Sequence, residues 1–61
     1  MNPTEARSHR LVELSNLVKF LNNEGKTNEE IINAVKKRAY QMASKPTADN
    51  YVDEIIRRFT K

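Results

Sequence analysis

MASKPTADNYVDEIIRRF, residues 42–59, contains the clearest boundary between two elements of the chain. Ser44, Lys45 and Pro46 interrupt one helix, because a proline blocks continuation of the helix before it yet fits the first turn of the next. The apolar residues beyond the proline fall within about a third of a helical wheel, at roughly 100° per residue. They are Ala48, Tyr51, Val52, Ile55, Ile56 and Phe59. The stretch predicts an amphipathic helix over residues 45–60, with both of its aromatic side chains in the core.

A second helix is predicted before this boundary. Thr27 is followed three residues later by Glu30, and this capping-box pattern marks a helix N-terminus. The apolar residues that share one face of this helix are Ile31, Ile32, Val35, Ala39 and Met42. We therefore expect a helix over residues 27–43. The sequence leaves open whether that helix is continuous or breaks near Arg38, which would restore a more usual turn before the last helix.

The start of the chain predicts a third, longer helix. Asn2 is suited to the cap, Pro3 to the first helical position and Glu5 to the capping box. One apolar stripe follows at spacings of three and four residues: Leu11, Leu14, Leu17, Val18 and Leu21. Gly25 can take the left-handed conformation that ends a helix, so this helix should span residues 3–23. Because no stretch alternates with period two, the chain is predicted to be a compact all-α three-helix domain over residues 1–61.

The small size of the chain suggests that a second copy contributes to stability. A chain of 61 residues buries only about 60% of the surface that its unfolded form exposes. It has no cysteine to cross-link it and one histidine, so neither a disulfide nor a metal site is expected. Val12, Phe20 and Tyr40 lie off the apolar stripes. We expect these three residues to form the interface of a symmetric homodimer.

The positive charge of the chain is concentrated in its middle. The net charge is +3, and residues 25–45 hold the whole surplus. Their cations are Lys26, Lys36, Lys37, Arg38 and Lys45, and their acids are Glu29 and Glu30. Such a field attracts a polyanion, although a solvated lysine-rich helix would have the same composition.

The stretch SKPTADNYV, residues 44–52, resembles the recognition helix of helix-turn-helix proteins, especially those of the resolvase and invertase type. In that pattern a serine cap precedes two exposed residues, a threonine and a small apolar residue. Two more exposed positions, an aromatic and an aliphatic residue complete it. The preceding GKTNEEIINAV, residues 25–35, is similar to the first helix of such a unit, and the whole similarity covers residues 25–56. The resemblance implies a helix-turn-helix-like domain that binds double-stranded DNA.

Specific roles follow from the resemblance. Ser44 and the first amides of the last helix would bind a phosphate. In the major groove Asn50 would pair with adenine, Lys45 with guanine or a phosphate, and Thr47 with a thymine methyl group. The preceding helix would bind the DNA backbone through its exposed residues, namely Lys36, Lys37, Arg38 and Gln41. Asp49 would face phosphates unless it accepts a hydrogen bond from a cytosine amine.

The sequence thus predicts a small sequence-preferring DNA-binding protein, a transcriptional regulator or accessory factor that acts as a homodimer on the nucleoid in the cytoplasm. The alternative is a helical adaptor that docks on another protein through Val12, Phe20 and Tyr40. Enzyme chemistry, a cofactor and a small-molecule substrate are not expected, because there is no nucleophile with a nearby base and no glycine-rich phosphate loop. No apolar run approaches the roughly 20 residues that span a bilayer.

Overall fold

The computed structural model describes residues 3–59, and for residues 3 and 4 it describes the backbone alone. Three helices make up the domain: α1 (Pro3–Asn23), α2 (Asn28–Met42) and α3 (Lys45–Phe59). The radius of gyration is 11.2 Å, close to the roughly 10.5 Å of a compact chain of this length. The predicted compact all-α three-helix domain is confirmed. The predicted Asn2 cap and the predicted helix end at residue 60 lie outside the described residues.

The junction between α1 and α2 is built around the single glycine. Gly25 has φ +80°, a left-handed conformation that side chains other than glycine rarely adopt. The amide of Lys26 donates to the Leu21 carbonyl at 3.1 Å, and the Gly25 amide donates to the Asn22 carbonyl at 3.1 Å. This pair of bonds is the Schellman motif, which satisfies carbonyls at the end of α1 and turns the chain toward α2.

The predicted capping box at the start of α2 is confirmed. The Glu30 amide donates to Thr27 Oγ1 at 3.2 Å, and the Thr27 amide donates to Glu30 Oε1 at 3.1 Å. These bonds to the Thr27 amide and hydroxyl lower the pKa of the Glu30 carboxyl group below its ordinary value. From this cap α2 runs without a break past Arg38, so the second helix is continuous.

The junction between α2 and α3 is short and lies where the sequence predicted it. α2 ends at Met42, and Ala43 is extended, with φ −153° and ψ 165°. The Ser44 carbonyl accepts from the Ala48 amide at 2.8 Å, which is the first bond of α3. Ser44 therefore occupies the N-cap position, and α3 begins one residue before Pro46.

The core runs through the centre of the three helices. Its buried members are Leu11, Leu14, Val18, Ile31, Val35, Ala39, Ala48, Tyr51, Val52 and Ile55. The prediction that Tyr51 is a core aromatic is confirmed, since it is 4% exposed. The same prediction for Phe59 is wrong, because its side chain is 44% exposed. Phe59 lies on the apolar face of α3 but in the last described turn, where it borders an open groove instead of a facing helix.

Candidate nucleic-acid interface

The first turn of α3 protrudes into solvent. Ser44, Lys45, Pro46 and Thr47 are exposed, whereas Ala48 is buried and anchors the turn to the core. Within the described part of the chain the Ser44 hydroxyl has no hydrogen-bond partner, so its side chain does not cap α3. Pro46 has no amide hydrogen, which reduces the number of backbone donors at this helix end. We call residues 44–50 the head of α3.

Three lysines near the head have no acidic partner within residues 5–59: Lys36, Lys37 and Lys45. All three side chains are exposed. Lys36 precedes Tyr40 by one turn of α2, and residues at this spacing lie on the same side of a helix. Because Tyr40 contacts the head through Asp49, Lys36 lies on the flank of α2 that faces the head. The charges of these three lysines are therefore not paired with an acidic side chain of the described residues.

Two further residues predicted to bind DNA are held against other side chains. Arg38 Nε donates to Glu13 Oε2 of α1 at 2.6 Å, and Arg38 Nη1 donates to Gln41 Oε1 at 3.4 Å. The hydrogen bond to Glu13 raises the pKa of the Arg38 guanidinium, with the charge of Glu13 acting in the same direction. Arg38 thus joins α2 to α1, and its charge is paired where those of Lys36 and Lys37 are not.

Asp49 has an intramolecular partner that the sequence did not predict. The Tyr40 hydroxyl donates to Asp49 Oδ1 at 2.6 Å, which joins the end of α2 to the head. This bond, together with desolvation and the charge of Asp49, raises the pKa of the Tyr40 hydroxyl above its ordinary value. One oxygen of Asp49 is therefore bound within the domain.

The start of α1 supports α3 from the other side. Arg7 Nη2 donates to Asn50 Oδ1 at 3.2 Å and lies 3.7 Å from Glu54 Oε1. Arg10 Nη1 donates to the hydroxyl of Tyr51 at 3.1 Å. The side-chain carbonyl oxygen of Asn50 is thus bound to Arg7, whereas the predicted contact with adenine uses both this oxygen and the side-chain nitrogen. Sequence reasoning missed Arg7, because a contact across 43 residues leaves no local pattern.

The residues predicted to form a protein interface are exposed. Val12 is 55% exposed and Phe20 is 60% exposed, both on α1. Tyr40, on α2, is 45% exposed, although its hydroxyl is bound to Asp49. All three keep enough exposed area to contact a partner, but Tyr40 also has a role inside the domain.

Comparison of the chain with protein-family models, with curated proteins and with solved structures found no match. Among the helices of residues 3–59, none is long and apolar enough to cross a membrane.

Proposed function

We propose that the protein binds double-stranded DNA through the head of α3 and the lysines beside it. In this proposal it is a transcriptional regulator or accessory factor that acts as a homodimer on the nucleoid. One observation carries the proposal: Lys36, Lys37 and Lys45 are exposed without an acidic partner in the described chain, next to a helix N-terminus that protrudes. A helix N-terminus favours phosphate through its amides and its dipole.

The hydrogen bonds within the domain support a contact with DNA through the head of α3. Asp49 is the acid closest to the tip of the head, and the bond from Tyr40 holds its carboxylate toward α2. Arg7 occupies the side-chain oxygen of Asn50, and the exposed residues Lys45, Thr47 and Asn50 each retain a hydrogen-bond donor. Donors suit the acceptor-rich edge of guanine and the phosphate oxygens.

The salt dependence of DNA binding tests whether the lysines contact phosphates. Fluorescence anisotropy with a mixed-sequence duplex should give an affinity that falls steeply between roughly 50 mM and 200 mM salt. Lys36→Ala and Lys37→Ala should each reduce the slope of log affinity against log salt by about 0.9. Lys19→Ala removes an exposed lysine of α1 and is the matched control, with no change in slope. Absence of binding to any duplex at the lowest salt would contradict the proposal.

The preference of the protein for one DNA site tests whether the head contacts bases. The double substitution Lys45→Ala with Asn50→Ala should remove the preference for one DNA site and leave non-specific binding in place. The reason is that base contacts specify a site whereas phosphate contacts supply affinity for every sequence. A competition assay with a selected site against a scrambled duplex measures this, and an unchanged preference would show that the head does not contact bases.

An adaptor role is the second candidate function, because Val12 and Phe20 are the two most exposed large apolar side chains among the described residues. In this role Phe20→Ala should weaken the binding of a partner protein, while Lys36→Ala should leave it unchanged. Salt distinguishes the two functions, since the contact of an apolar surface does not weaken steeply as salt increases.

A further inference from the structure

An open groove lies at the end of the domain opposite the head. The second half of α1, the first half of α2 and the second half of α3 line it, and its volume is about 210 Å³. Its walls include Val35 and Ile55, which also belong to the core, and the half-buried Ile32 and Ile56. The groove therefore exposes the edge of the hydrophobic core to solvent.

The groove carries no charged lining residue among those described, and Asn22 and Asn28 are its polar side chains. This absence of charge is unusual in a chain in which 31% of the residues are charged and the net charge is +3. Two copies of a cationic protein repel each other where their positively charged surfaces meet. At the groove they can approach without burying like charges, so this patch is suited to contact with a second copy.

Phe59 supplies a projecting side chain on the same patch. It borders the groove and is 44% exposed, so its ring is available to a neighbouring molecule. An isologous interface uses the same surface on both copies and requires that surface to be self-complementary. A patch that contains both a cavity and a projecting aromatic ring meets this requirement. Val12 and Phe20, by contrast, do not line the groove.

The small size of the chain favours burial of the groove. Since a chain this short has a small core, covering the groove adds stability that the monomer lacks.

From these observations we infer that the groove is the homodimer interface, with Phe59 of each copy inserted into the groove of the other. The head of α3 lies at the other end of both α2 and α3, so it stays exposed in such a dimer. This interface replaces Val12, Phe20 and Tyr40 as the contact between copies. It does not depend on DNA binding.

Sedimentation equilibrium from micromolar to millimolar concentrations tests the inference. As the concentration increases, the apparent mass of the wild-type chain should rise from 7.1 kDa to twice that value. Phe59→Ser should raise the dissociation constant by roughly tenfold or more, the scale expected for one buried aromatic side chain. Phe20→Ser is the matched control, since it removes an equally large exposed ring from α1, and it should leave the constant unchanged.

A measurement on the wild-type chain keeps the test valid if Phe59→Ser fails to fold. In a mixture of labelled and unlabelled chains, isotope-filtered NMR should detect contacts between the Phe59 ring of one copy and the Ile32 or Ile56 methyl groups of the other. A monomer over the whole concentration range would overturn the inference. A dimer whose intermolecular contacts lie at Val12 and Phe20 would overturn it too.

Discussion

At the scale of single residues, charge pairing separates the cations of the middle segment into two groups. Arg38 lies 2.6 Å from Glu13 and holds α2 to α1, whereas Lys36, Lys37 and Lys45 have no acidic partner in the described chain. Arginine suits the structural role because its planar guanidinium donates several hydrogen bonds in fixed directions. Lysine offers a mobile point charge, which suits phosphate contacts that do not read sequence.

The bond between Tyr40 and Asp49 should be visible in a titration. Because the fold raises the pKa of the Tyr40 hydroxyl above its ordinary value of 10.0, the bond stabilises the fold fully below pH 10. That contribution is lost as the pH rises through the higher pKa of the folded state. Asp49→Ala should return the pKa of Tyr40 toward its ordinary value, as followed by NMR of the tyrosine ring carbons.

Asp53→Ala is the control for this titration, since it removes an exposed acid one turn further along α3. It should leave the Tyr40 titration unchanged. If Asp53→Ala and Asp49→Ala shift the titration equally, general charge and not the hydrogen bond sets the pKa of Tyr40.

At the scale of elements, the two junctions have different designs. The α1–α2 junction combines the Schellman motif at Gly25 with the capping box of Thr27 and Glu30. The α2–α3 junction instead relies on the extended Ala43, on Ser44 at the N-cap and on Pro46. The first junction satisfies its own backbone groups by local bonds. In the second, the Ser44 hydroxyl makes no hydrogen bond to the described residues.

Gly25→Ala should lower the free energy of unfolding by about 1–2 kcal/mol, measured by urea denaturation. The cost comes from the backbone alone, since a Cβ at this position would meet no atom within 4 Å. Asn33→Ala, an exposed substitution within α2, is the control and should change stability by less than about 0.5 kcal/mol. An equal stability of Gly25→Ala and wild type would show that the left-handed conformation is not required.

At the scale of the whole molecule, the domain has a closed end and an open end. At the closed end Arg7 and Arg10 of α1 bond to α3, and Tyr40 of α2 bonds to Asp49. At the open end the three helices leave the groove between them. The proposed DNA contact is at the closed end and the inferred dimer contact at the open end, so one copy has room for both.

Leu14→Ala tests whether the core is stable enough to tolerate the truncation of one buried side chain. Leu14 is 0% exposed, and truncating a buried leucine costs roughly 2–5 kcal/mol. A single core in a chain of this length supplies no more than about 3–5 kcal/mol. We expect Leu14→Ala to be largely unfolded by circular dichroism, and Val12→Ala, on the exposed side of α1, to keep its helices. A folded Leu14→Ala variant would mean that the core is more stable than its size indicates.

The helices were predictable from the sequence because their signals are local. A cap, a proline, a glycine and a three-to-four-residue spacing each act within about one or two turns, so the chain specifies them before it packs. This is why the predicted bounds at Asn23, Thr27 and Lys45 agree with the observed helices to within one residue. The exposure of the head followed from the same local pattern, since only Ala48 of its first residues is apolar.

Packing between helices determined the side-chain contacts and the burial that the sequence did not predict. The partners of Arg7, Arg38 and Tyr40 lie 43, 25 and 9 residues away, and no spacing within one helix encodes them. A helical wheel assigned Phe59 to the apolar face of α3 correctly, but it carries no information on whether another helix reaches that turn. Burial depends on where separate helices end relative to one another, and this determined both the open groove and the exposed ring beside it.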